Sequence, residues 1–271
     1  MGSSPLAFPA FKGATRWLIL VNLAAYFAFL LARLSSPLQT LQAIGYLLFD
    51  PAAFLHGWLW QPLTYSFVHP TLWTAVLELL SLWFLAGFLE SFHSPNWVAS
   101  LYAISVLGAA AAALALYLIF STLDPALLLT ASPLYGCFGG LFGLLAAIGL
   151  LYGDMQFMLF PLPIGIKARY LAIIYVLIAV AMLFGEEKVY AFAQLGGALA
   201  ALVFVRTAPR RGMSFAVSES WYGLRNRYYR WKRRRAARKF EVYMRSQGRT
   251  VRFDGQGRII DEDSDDKSRW N

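Results

Sequence analysis

Charge is what this sequence has least of. Of its 271 residues only 14% are Asp, Glu, Lys or Arg, while 58% are hydrophobic; a water-soluble domain carries roughly 25% charged residues. That deficit excludes an ordinary soluble globule. Cysteine is nearly absent too. Cys137 is the only one, so neither an intrachain disulfide nor a thiolate metal cluster can form. His56, His69 and His93 lack metal-ligand spacing, and no metal or other cofactor is implied.

The charge that exists is segregated. Residues 1–205 hold six Lys/Arg and seven Asp/Glu, whereas residues 206–271 hold eighteen and eight. The formal net charge of +9 is therefore a property of the tail. The body is a series of apolar runs at 16–32, 72–89, 97–120, 134–152, 170–184 and 189–205. A spanning helix needs about 20 apolar residues, and lipid tolerates only backbones whose polar groups are satisfied internally. The fold expected is an all-α, six-span membrane bundle over 15–206, between an N-terminal segment 1–14 and a basic tail 207–271. The first run reads as a retained span, because Arg33 and Leu34 follow it and not a small-residue cleavage site.

An even span count puts both termini on one side, and the tail makes that side cytoplasmic by the positive-inside rule. Lys167 and Arg169 fall in an inside loop, and Asp50, Asp124, Glu186 and Glu187 fall outside; Arg33 and Lys188 dissent. The location expected is a bacterial cytoplasmic membrane. The long connection 34–70, with Tyr46, Phe49, Phe54, Trp58 and Trp60, reads either as a loop with interfacial aromatic anchors or as a segment dipping into the membrane under protein cover.

Three motifs occur in order. W-Q-P-L-T-Y-S-F-V-H at 60–69 leads into L-W-F-L-A-G-F-L-E at 82–90; G-C-F-G-G-L-F-G follows at 136–143, and Q-L-G-G at 194–197. Together they resemble the rhomboid family of intramembrane serine proteases, whose patterns are W-R-x-x-T-x-x-F-x-H, L-W-F-x-G-x-x-L-E, G-x-S-G-x-x-F-G and H-x-G-G. The resemblance implies a six-helix bundle with a serine on the fourth helix and a histidine on the sixth. Those positions fall on Phe138 and Gln194, which offer neither nucleophile nor base. The oxyanion-stabilising pair falls on Thr74 and Glu78, and a carboxylate there repels an oxyanion. Gln61 replaces the arginine after the loop tryptophan. A rhomboid-like pseudoprotease is the expectation. Cys137 and Ser132 are the remaining candidate nucleophiles; Cys137 is turned by about 100° from its neighbour on a helix, and Ser132, before Pro133, reads as a helix-start residue.

The small residues Gly136, Gly139, Gly140 and Gly143 form overlapping G-x-x-x-G pairs, matched by Ala193, Gly197 and Ala201 on the last run. They imply close packing of the fourth helix against the sixth, or a dimerisation face. His69, Glu78 and Gln194 are expected as buried polar residues. A carboxylate within an apolar span faces inward, paired and neutralised; Glu78 reads as a clamp to Thr74 or Gln194, with proton handling and partner binding as alternatives.

In the tail, Trp221, Leu224, Tyr228 and Trp231 recur at helical spacing among Arg225, Arg227, Arg230, Lys232, Arg233, Arg234 and Arg235. Such a segment most simply binds anionic lipid headgroups; protein or ribosome docking is an alternative, and specific nucleic-acid readout is not expected. Residues 250–260 carry a hairpin signal, and 261–266 are acidic. By resemblance, the function is to bind, retain or escort other membrane proteins, or to serve as a complex subunit. An endopeptidase with a non-standard nucleophile and a transporter are the alternatives.

Overall fold

The computed structural model of the chain describes residues 9–123, 133–159, 164–185 and 187–207, with 225, 226, 228–232, 235 and 243 of the tail. The chain divides into two units, Met1–Met213 and Ser214–Asn271.

The first unit is a helical bundle. Its described helices are α1 (Gly13–Ser35), α2 (Pro37–Gly45), α3 (Pro51–Leu55), α4 (Gln61–Thr64), α5 (Leu72–Glu90), α6 (Pro95–Leu123), α7 (Phe138–Leu151), α8 (Ala168–Met182) and α9 (Lys188–Thr207), with a 3-10 turn at Tyr65–Phe67. Helices α1, α5, α6 and α9 are long and apolar enough to cross a membrane. α7 and α8 are shorter apolar helices of 14 and 15 residues.

α7 begins at Phe138, four residues later than its apolar run. The cause lies upstream. Leu134 is held in an isolated antiparallel bridge to Phe49, donating and accepting at 2.9 and 3.0 Å, and Gly136 stands at φ +78°. A left-handed residue cannot continue a right-handed helix, and glycine alone adopts it freely. Gly136 is thus a turn residue and not part of a helical G-x-x-x-G face, which corrects its expected role.

A second correction concerns the all-α class. Strands β1 (Gln156–Leu159) and β2 (Ile164–Lys167) pair antiparallel between α7 and α8, with Gln156 opposite Lys167 and Leu159 opposite Ile164. The strands, Q-F-M-L and I-G-I-K, are only four residues each, too short to carry a clear period-2 signal.

The core is centred on α6, α7 and α9, with α5 against α7. Glycines set these distances. A Cβ on Gly139 would meet Ala109, one on Gly140 the Tyr102 ring, one on Gly143 the Ser105 side chain, and one on Gly197 the Gly139 carbonyl. Ala193 and Ala201 are buried in the same seam. α7 therefore packs on both α6 and α9, and these glycine faces are filled within the chain. α1 is peripheral by contrast: of its 23 residues only Thr15 and Asn22 are buried.

The connection 36–71 is folded, not loose. Trp60 Nε1 donates to the Tyr46 carbonyl at 2.9 Å, Thr64 Oγ1 to Leu47 at 2.9 Å, and Asp50 N–H to buried Gln61 Oε1 at 3.2 Å. Asp50 caps α3 through the Ala52 N–H at 2.9 Å. Phe49 and Tyr65 reach the core, where Tyr65 Oη donates to the Val106 carbonyl at 2.8 Å. These polar groups are met by protein, as a segment near lipid requires, although Gln61 Nε2 is buried with no hydrogen-bond partner.

Candidate functional site: a buried polar relay at the start of α7

Glu78 sits in the second turn of α5 and is 1% exposed. Its Oε2 accepts the Cys137 backbone N–H at 2.7 Å, and His69 Nδ1 lies 3.1 Å from the same oxygen. His69 Nε2 in turn is 3.1 Å from Asn22 Oδ1, and Asn22 Nδ2 donates to the Leu18 carbonyl at 2.8 Å. One relay thus joins α1, the 68–71 connection, α5 and the start of α7. Because the Asn22 amide hydrogen is given to Leu18, its oxygen is the acceptor and His69 Nε2 carries a hydrogen. Nδ1 approaches the Glu78 carboxyl at 3.1 Å without hydrogen-bond geometry.

The partners differ from those expected. Thr74 is half-buried and its hydroxyl lies 2.8 Å from Thr71 Oγ1, at the cap of α5. Gln194 is buried on α9, and its Oε1 has no hydrogen-bond partner. Neither holds Glu78. His69 does so because the chain folds back before α5, and Cys137 does so because its N–H is one of the unpaired donors at a helix start. A carboxylate there also meets the positive end of the α7 dipole.

Gly136 is fitted to this carboxylate. A Cβ at that position would stand 2.7 Å from Glu78 Oε1, and the Gly136 N–H is shared between the Tyr65 and Val68 carbonyls at 3.0 and 2.9 Å. Burial pushes the neighbouring Tyr65 phenol well above its ordinary pKa, with Cys137 adding to the effect; it remains a neutral donor.

The two positions aligned with the rhomboid serine and histidine do come together. Phe138 and Gln194 line one small cavity with Tyr65, Leu134, Gly136 and Tyr190, of about 10 Å³. That is room for a single water. Phe138 also packs against the main core. Cys137 is fully buried, and Ser132 lies outside the described residues.

The most informative residue missed in the sequence is Glu90. Its Oε1 accepts the Ala14 and Thr15 N–H groups at 2.5 and 3.3 Å, capping α1 from the far end of α5. No capping side chain lies at Lys12, and no acid in the first turn; the signal would have had to be a missing local cap.

In the second unit, Arg225, Arg230, Lys232 and Arg235 are exposed helical residues. Arg225 stands 5.7 Å over the Tyr229 ring and Arg235 5.3 Å over the Trp231 ring. Arg227, Arg233 and Arg234, the hairpin signal at 250–260 and the acidic stretch 261–266 lie outside the described residues.

No curated protein matches the chain. One family does, over residues 16–213, and it is described as one of eukaryotic integral membrane proteins. That overturns the bacterial cytoplasmic membrane as the location. Hydropathy and charge asymmetry follow the same rules in bacterial and eukaryotic bilayers, so neither could have separated the two. Matched from the first span to beyond the last, the chain belongs to the eukaryotic integral membrane protein family DUF1751.

Proposed function

We propose that this chain is a six-span, rhomboid-like protein without catalytic chemistry, which binds, retains or escorts other membrane proteins or serves as a subunit of a membrane complex. One observation carries the reading. The positions that resemble the protease's serine and histidine converge on one cavity, and that cavity is closed by a phenyl ring and a neutral amide, Phe138 and Gln194. Convergence favours the fold relationship, and the residue types disfavour the reaction.

The oxyanion side agrees. The Cys137 N–H, beside the serine-equivalent position, is already taken by Glu78 at 2.7 Å. An acceptor oxygen of Glu78 fills the space where a developing oxyanion would need donors.

Six crossings require α7 and α8 to span. Their 14 and 15 residues give about 21–23 Å at 1.5 Å per residue, short of a core of about 30 Å that thins or takes in flanking residues to match. With six crossings both termini lie on the cytosolic side. Lys167, Arg169 and their partner Asp154 then cluster at that face.

The test is crosslinked purification of the tagged full chain from native membranes. Substoichiometric recovery of several membrane proteins supports escort or retention, and one partner at fixed stoichiometry supports a complex subunit. Recovery of no membrane protein above an untagged control would sink both forms.

A further inference from the structure

The basic charge of the second unit has no counterpart in the bundle. Between residues 220 and 245 there are ten Lys/Arg and one acidic residue, Glu241. Where described, this stretch is helical, and Tyr228, Tyr229, Trp231 and Tyr243 are all exposed. The Arg225–Tyr229 and Arg235–Trp231 stacks put cation and ring side by side. Tyr228 and Trp231 are themselves neighbours, 6.2 Å between centroids.

We infer that this segment lies along the anionic leaflet of the membrane that holds the bundle, its guanidinium and ammonium groups bound by phosphate- and carboxylate-bearing headgroups. The reading rests on the chain being an integral membrane protein and not on the escort function. Three facts support a lipid surface over a soluble polyanion. The first is reach: α9 ends at Thr207, and the twelve residues from 208 to 219 extend at most about 43 Å. The segment is therefore never far from headgroups, and a tethered contact forms at high effective concentration. The second is the pairing of rings with cations, which suits a boundary where the ring sits at headgroup depth and the cation reaches phosphate. The third is charge distribution. In the sequence, Arg225, Arg227, Arg230 and the run 232–235 follow no single helical period. A diffuse anionic plane accepts that arrangement, whereas a nucleic-acid groove is tracked by one face.

Each basic residue near such a surface contributes roughly fivefold to partitioning, so reversing three charges should abolish binding. The experiment uses the full-length chain with Ala236→Cys, labelled by an environment-sensitive fluorophore. Cys137 is fully buried, so the unsubstituted protein, treated alike, is the labelling blank. The labelled protein is placed in nanodiscs of phosphatidylcholine alone or mixed with phosphatidylserine. The expected result is a blue shift only in the phosphatidylserine discs. It should be lost near 1 M salt, where the Debye length falls to about 3 Å, and lost on joint Arg233→Glu, Arg234→Glu and Arg235→Glu. Equal shifts in both lipids, or a shift that survives salt, would overturn the inference. A response to added RNA with none to phosphatidylserine would replace it with nucleic-acid binding.

Discussion

Replacing Glu78 by leucine removes the acceptor of two buried groups at once. The Cys137 N–H at 2.7 Å and His69 at 3.1 Å both depend on the same oxygen, Oε2. Breaking one side of a buried pair costs roughly 3–5 kcal/mol, because the partner is left uncompensated. Glutamine is a sharper probe. Its amide oxygen can still accept the Cys137 N–H, while the 3.1 Å approach of His69 Nδ1 becomes one to a neutral amide, a loss of about 1 kcal/mol. The expected order of stability is wild type, Glu78→Gln, then Glu78→Leu. For a chain of this size about 2–4 °C accompanies each kcal/mol, so leucine should lower Tm by roughly 6–20 °C and glutamine by a few degrees. Thermal unfolding of the purified protein in detergent reads both. The relay also predicts coupling: His69→Phe with Glu78→Leu should cost less than the sum of the single changes, by about 1–3 kcal/mol. A Glu78→Leu protein with unchanged Tm, or strict additivity with His69→Phe, would refute the relay.

Gly136→Ala should destabilise by about 1–3 kcal/mol, since its φ of +78° is strained for alanine and its Cβ would press on Glu78. Gly45→Ala, in helix α2 with nothing within 4 Å, should be neutral or stabilising by up to about 1 kcal/mol; the same melts compare them. Purified protein in proteoliposomes should not cleave a rhomboid-type transmembrane substrate, and Phe138→Ser with Gln194→His should not restore cleavage while Glu78 occupies the Cys137 N–H. A product that disappears in Cys137→Ala or Ser132→Ala would identify a working nucleophile instead. Terminal tags should be digested by protease added to permeabilised cells only from the cytosolic side; a C-terminal tag protected there contradicts the orientation drawn from tail charge.

The four long helices were legible because hydropathy over 18 or more residues is a bulk property, insensitive to any one contact. The start of α7 was not, because it depends on Gly136 and on a bridge to Phe49, 85 positions away by residue number. Glu78 stood out in sequence as a carboxylate among leucines, and its burial follows from the cost of exposing charge to lipid. Its partners could not be read the same way. Thr74 was the helical neighbour at i−4, whereas the actual contacts come from His69, before the helix, and from Cys137, 59 residues away. Local periodicity reports which face a residue occupies, and tertiary closure decides what meets it. The β1–β2 hairpin was hidden because strands of four residues are too short for a period to show.

The fastening of α1 has a consequence for the order of synthesis. This helix buries only Thr15 and Asn22, and polar groups that fasten it lie further along the chain: His69 meets Asn22 from 47 residues on, and Glu90 meets the Ala14 N–H from 76 residues on. During translation the first span therefore reaches the bilayer before the residues that clasp it have been made. Until Glu90 has emerged, its amino end lacks an acceptor and its Asn22 amide faces lipid with half its hydrogen bonds unmade. Insertion and assembly are thus separate events for this helix, and His69 and Glu90 mark the seat it takes when they arrive.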